Sequence, residues 1–248
     1  MNLQCNLKFL LVALACALSA CGGGGGGSET SSPTSTQPID PNLTVPFQTA
    51  IANLVNNGVN KSFSLTGFVD NSTDNTPLPR IAITGTGTLT IGAPVSSTFN
   101  GNSVLRTTQV VTGAATANTQ NIPLAATATV YYNTGTYTVA GTVNGTTTLI
   151  YAPYTNPSTV KAGNTGSLGT GSTRGLFETT STSAYSVATD TATSLLVTVI
   201  DTVKEFGGNT TTTQSVYRVS TSGSVILVSI DVVANFLGKD YKRLTYTF

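Results

Sequence analysis

In residues 80–91 the apolar and glycine positions fall on odd numbers and threonine fills most of the even ones. Side chains of an extended strand alternate between its two faces, so such a segment buries one face and wets the other. Ile81, Ile83, Leu89 and Ile91 are predicted to face inward behind an outward row of Thr. The same period recurs at Phe63 and Leu65 and over residues 104–111, 126–132, 136–139 and 146–151, and a meander of further strands is expected near 184–187, 194–202, 214–220, 225–234 and 241–248. Asn133-Thr134-Gly135, Asn144-Gly145, Thr221-Ser222-Gly223 and Leu237-Gly238-Lys239 supply the turns between them. The expected fold is all-β: an antiparallel sandwich or a curved half-barrel, with one short N-terminal helix.

That helix follows from Pro46 at its start, Gly58 just past its end, and Phe47, Ile51, Leu54 and Val55 at helical spacing between them. Its apolar stripe reads as a lid over the sheet. Residues 152–175 are rich in Pro, Gly, Ser and Thr and connect two sheets, with a short strand expected near Thr159, Val160 and Lys161. Residues 225–233 are apolar almost throughout, so that strand is expected to be covered on both faces.

Before the β-rich part, the chain opens on a positively charged stretch ending at Lys8 and an apolar run of about ten residues from Phe9, within the ~7–15 of a signal peptide. A membrane-spanning helix needs about 20. The run ends in Leu18, Ser19, Ala20 and Cys21, directly before six glycines. These four residues resemble the lipobox of bacterial lipoproteins. Leu18 holds the aliphatic position three residues before the cysteine, where an ordinary cleavage site carries a small residue. The resemblance implies a signal peptide at 1–20, cleavage after Ala20, and a thioether-linked diacylglycerol on Cys21 (with palmitate-type acyl chains). It also implies attachment to the cell envelope. An Asp after the cysteine commonly retains such proteins at the inner membrane, so Gly22 implies the outer one. Residues 21–44 then form a flexible Gly/Ser/Thr/Pro tether, and 45–248 one β domain.

Processing would leave no free cysteine, because Cys5 and Cys16 depart with the leader and Cys21 is acylated. Removing Lys8 from eleven basic residues leaves ten, against ten acidic ones. No basic run could neutralise a row of phosphates, so no nucleic-acid partner is expected. Lys239, Lys242 and Arg243 read as a solvated hairpin face that protects a sheet edge.

The absence of histidine from the sequence removes Ser-His-Asp chemistry and His-bearing metal sites. The acids Asp70, Asp74, Asp190, Asp201 and Asp231 are scattered. No catalytic residue, metal or cofactor is assigned. Gly85-Thr86-Gly87 and residues 166–171 lack the following helix that a phosphate cradle needs. The loop from Asp70 to Asn75 has oxygen ligands without the D-x-D-x-D-G spacing of a calcium loop.

The densest aromatic group is Tyr131, Tyr132, Tyr137, Tyr151 and Tyr154. These are the candidate ligand-contacting residues, because an exposed tyrosine ring can stack on a sugar while its hydroxyl hydrogen-bonds. The competing assignment is cross-strand packing. Residues 244–248 alternate to a terminal aromatic and resemble the closing strand of outer-membrane β-barrels. Such barrels, however, carry an apolar band on the outside of every strand. The expected role is a monomeric, non-enzymatic envelope lipoprotein, binding or structural. It would be tied to the membrane through Cys21 and take a glycan, lipid or envelope protein as ligand. The alternatives are a carboxylate-dependent enzyme acting on glycans and a hydrophobic-ligand carrier.

Overall fold

The computed structural model describes residues 40–70, 79–173, 178–236 and 239–248. Cys21, most of the tether, and Asn71 to Asn75 of the oxygen-rich loop lie outside them. The chain is all-β with one helix. In order come β1 (Thr44–Val45), α1 (Phe47–Asn57), β2 (Val59–Val69), β3 (Ile81–Ile91), β4 (Val95–Phe99), β5 (Asn102–Ala117), β6 (Gln120–Asn133) and β7 (Val139–Asn144). After these follow β8 (Thr147–Tyr151), β9 (Val160–Lys161), β10 (Thr165–Ser172), β11 (Thr180–Thr191), β12 (Ser194–Lys204), β13 (Thr210–Ser220), β14 (Val225–Phe236) and β15 (Lys239–Thr247).

The main sheet is an antiparallel meander that closes on itself. β15 pairs with β2, and β3 pairs with β5 from Ile83 opposite Ala117 to Ile91 opposite Gln109. β4 only prolongs the β3 side of β5, so of the thirteen strands in the sheet twelve form the ring. Within the expected antiparallel class, these twelve strands therefore close a barrel rather than a half-barrel, and β4, paired with β5 alone, keeps a short edge. Curvature comes from bulges, as at Val228 of β14, opposite Val216 and Tyr217 of β13, and between Ser167 and Thr170 on β10. It also comes from close backbone approach at Gly87 and Gly113, directly paired on β3 and β5. A β-carbon at Gly87 would lie 2.3 Å from the Thr112 carbonyl oxygen.

Strand parity separates inside from outside. Phe63 and Leu65, Ile83 and Leu89, Val197 and Val199, and Leu244 and Tyr246 are buried, while Ser64, Thr66, Thr84, Thr90, Thr116 and Thr127 are exposed. A membrane-spanning barrel has the opposite arrangement, apolar outward. The final strand does close a barrel, but its outward residues include Arg243, Thr245 and Thr247.

Two expectations are corrected by parity and closure. β14 is covered on its inner face only, with Ile226 exposed and Asp231 and Val233 half-exposed on the outside. Lys242 is not on a solvated edge. It shares parity with Leu244 and Tyr246, points inward at 1% exposure, and lies on a strand paired on both sides.

α1 caps one end of the barrel. It begins just after Pro46, which sits at the N-cap rather than in the first turn, and stops at Gly58, whose φ of +68° is a glycine conformation and whose N–H donates to the Leu54 carbonyl. Phe47, Ala50, Ile51, Leu54 and Val55 are buried in the same core as the strands. Phe47 stacks on Tyr185 of β11. At the rim, Asn53 Nδ2 donates to the Gly223 carbonyl and Asn56 Nδ2 to the Tyr137 hydroxyl, each at 3.0 Å. The expected strand at Val160–Lys161 exists and pairs with Thr44–Val45 apart from the barrel sheet.

Candidate binding site

Besides Lys242 on β15 and the tyrosine hydroxyls, the polar groups that the strands bury gather on two walls. On the first, β11, β12 and β13 turn Ser181, Ser183, Asp201, Thr213 and Ser215 inward, all buried. Parity dictates this: Asp201 continues the inward series Leu195, Val197, Val199. Ser183, Asp201 and Thr213 are direct cross-strand partners. The Ser183 hydroxyl donates a short hydrogen bond to Asp201 Oδ1, whereas Asp201 Oδ2 has no hydrogen-bond partner among the described residues. Burial, only partly opposed by the Ser183 bond, pushes the Asp201 carboxyl up to about 7. Next along, the Ser215 hydroxyl also lacks a hydrogen-bond partner among the described residues, and Ser181 shares a 3.1 Å bond with the Tyr151 hydroxyl.

The second wall is formed by β5 and β7, with Thr107, Gln109, Thr142 and Asn144 inward and buried. From β12 to β5 is six steps around the ring in either direction, so these walls face one another. Both amide atoms of Gln109 and the Thr107 hydroxyl lack hydrogen-bond partners among the described residues. The Tyr246 hydroxyl on β15 does too, and burial raises its pKa. A buried polar atom left unpaired costs about 1–3 kcal/mol, and native interiors hold few of them. Here they gather on the inner surface of one barrel. Chemically, the site offers a carboxyl that can hold or release a proton near neutrality, three hydroxyls, and an amide that both donates and accepts.

The five tyrosines do not form one exposed row. Tyr132 and Tyr151 are buried inside the barrel. Tyr131 points outward, half-buried, and stacks on Phe99 at 4.3 Å between ring centroids. Tyr137 and Tyr154 are half-buried near the capped end, where Tyr137 receives Asn56 and the Tyr154 hydroxyl accepts from the Val139 N–H at 2.8 Å. Of the scattered acids, Asp190 pairs with Arg218, Asp231 with Arg243 and Asp70 with Arg80. Among the described residues no three His, Cys, Asp or Glu side chains come together as a metal site. The glycines at 166–171 lie within β10. The sequence shows Asp201 only as one of the scattered acids, although the parity of 195–203 marks it as an acid on a buried face.

The sequence matches no family model, no curated protein and no solved structure.

Proposed function

We propose that this chain is a lipid-anchored protein of the bacterial cell envelope that binds a largely apolar small molecule inside its barrel and performs no catalysis. The observation that carries this reading is an apolar, helix-capped interior that holds buried polar atoms without hydrogen-bond partners among the described residues. Ligand sites have that composition: apolar walls with a few placed polar groups. The outward Thr and Ser face favours a barrel standing in water, with the lipid on Cys21 as its membrane contact. Two or more acyl chains make such an anchor stable.

Against a glycan-cleaving enzyme stands the isolation of Asp201. It is the one buried acid among the described residues, whereas glycoside hydrolysis uses a facing pair of carboxyl groups. For the same reason the tyrosine cluster is the weaker ligand site, since two of its members are core and Tyr131 is already stacked.

Solvent extraction of chain purified from a bacterial envelope, followed by mass spectrometry, tests the binding reading. An amphipathic molecule approaching one per chain supports it; clean extracts from every preparation overturn it. The anchor has its own test. Intact mass should show a diacylated or triacylated Cys21 at the mature N-terminus, and Cys21→Ser should abolish lipid attachment. Any other mature N-terminus defeats the lipoprotein assignment.

A further inference from the structure

We propose that the end of the barrel opposite α1 rests on a lipid bilayer through two phenylalanines, Phe206 and Phe236. It gives the chain a second membrane contact besides the lipid on Cys21, and it rests on the anchor reading above.

Four large apolar side chains are exposed among the described residues: Val95, Phe206, Ile226 and Phe236. Val95 and Ile226 stand toward the capped end, at the starts of β4 and β14. The two phenylalanines share the other end. Lys204 pairs with Thr210 and Thr210 with Asn235, so the β12–β13 turn carrying Phe206 stands beside the β14–β15 turn that Phe236 opens. Phe206 is 65% exposed and Phe236 49%. Gly207 and Gly208, at φ of +96° and +89°, border open space, so the first turn projects from the barrel.

A ring held in water forgoes the gain of burial. The size and charge of this end decide what covers it. A phenylalanine buries about 150–250 Å² when fully covered, so two partly exposed rings fall well short of the ~800 Å² per partner of a stable protein interface. Single rings do sink into the boundary between headgroups and acyl chains. Lys204 and Glu205 precede Phe206, and Lys239 and Asp240 follow Phe236, all four exposed. Within each pair the charges cancel, which suits zwitterionic headgroups. The described chain begins at Asp40, next to β1 and the capped end, where Pro46 lies against Gly223. Residues 22–39 must therefore run back along the barrel to the anchoring bilayer. These eighteen residues span at most about 60 Å, against about 37 Å for an eleven-residue strand such as β2 and about 10 Å for the cap. The reach suffices. With Cys21 already in the bilayer, docking is intramolecular, so two rings can settle a chain that they could not recruit from solution.

The sequence has no tryptophan, so Phe206→Trp and Phe236→Trp each install a single fluorescent reporter. Thr86→Trp, on the outer wall of β3, is the reference. The full lipidated chain is reconstituted into phosphatidylcholine vesicles with or without bromine on the acyl chains. Brominated lipid should quench both tip reporters at least about threefold more than the reference. Phe206→Ser, added to Phe236→Trp, should bring that quenching down toward the reference level. If circular dichroism shows that a tip variant misfolds, Glu205→Trp or Lys239→Trp on the same exposed turns takes its place. Tip quenching no greater than at 86, in a chain that floats with its vesicles, overturns the proposal and leaves the anchor reading standing. Quenching indifferent to Phe206→Ser overturns it too, because the rings then do not hold this end down. A chain that fails to float with the vesicles overturns the anchor reading, and the proposal falls with it.

Discussion

Tyr185 on β11 covers Gly166, its register partner on β10, so closely that a β-carbon at 166 would sit 2.6 Å from the ring. The same ring stacks on Phe47 of α1 with centroids 5.5 Å apart. The cap is thus seated on an aromatic whose position depends on a missing side chain one strand away. Gly171 under Tyr151 and Gly87 under Phe63 repeat the pairing. Gly166→Ala should push the ring toward Phe47 and cost about 1–3 kcal/mol, the usual range for overpacking. Urea denaturation measures it. A change below ~0.5 kcal/mol would mean that the ring moves freely.

Asp201 makes stability depend on pH. Between its ordinary 3.8 and about 7 the unfolded chain has lost the proton while the folded chain keeps it. Stability should therefore be fully present at the acid side of this window, fall as pH rises through it at up to about 1.4 kcal/mol per pH unit, and level off above. Asp201→Asn should remove the slope and be the more stable protein at pH 8. Denaturation midpoints at several pH values decide, and an unchanged slope in the variant would assign it to another group.

Lys242 has the opposite sign. Burial lowers it from 10.5 to about 8, so between those values the unfolded chain holds the proton that the folded chain has released. Stability should rise with pH across that interval. Lys242→Met, which keeps the inward volume apolar, should flatten the rise and raise the midpoint at pH 7. A midpoint lowered by this substitution would show that the ammonium's contacts outweigh its desolvation.

The cap is held to the rim by two side-chain amides, Asn53 to Gly223 and Asn56 to Tyr137. The double change Asn53→Ala and Asn56→Ala removes bonds worth about 0.5–1.5 kcal/mol each. Hydrogen exchange of the amides at 47–57 should accelerate while the β12 and β13 amides keep their protection. Uniform acceleration would mean that cap and barrel open as one unit.

The tyrosines should divide by the face they occupy. Tyr132→Ala empties core volume and should cost about 3–5 kcal/mol. Tyr131→Ala loses one outward stack on Phe99 and should cost about 0.5–1.5 kcal/mol. Equal losses, read from thermal denaturation, would contradict the separation.

How far this was legible in the sequence varies with the range of the interaction concerned. α1 could be read to within a residue because Pro46, Gly58 and the spacing of Phe47, Ile51 and Leu54 are local signals. The inward parity of β3 could be read because Ile and Thr alternate over its whole length. Closure could not, because nothing local specifies that Leu65 faces Tyr246 or that Gly87 faces Gly113. Without closure, Lys242 reads as an edge residue. The polar wall was half legible, since parity put Asp201 inside, yet its union with Ser183 and Ser215 depends on the registers of β11, β12 and β13.

The seam between β2 and β15 also sets a clock. Their paired residues, such as Leu65 and Tyr246, are separated by most of the β domain, so the ring cannot shut until residues 239–247 have been synthesised. Until then β2 and β14 both present unpaired backbone, the template on which strands of other chains add. Closing so late is slow and leaves a growing chain vulnerable to aggregation. Completion of the ring therefore waits on the last strand, and a chain cut short within β15 would leave the edges of β2 and β14 open.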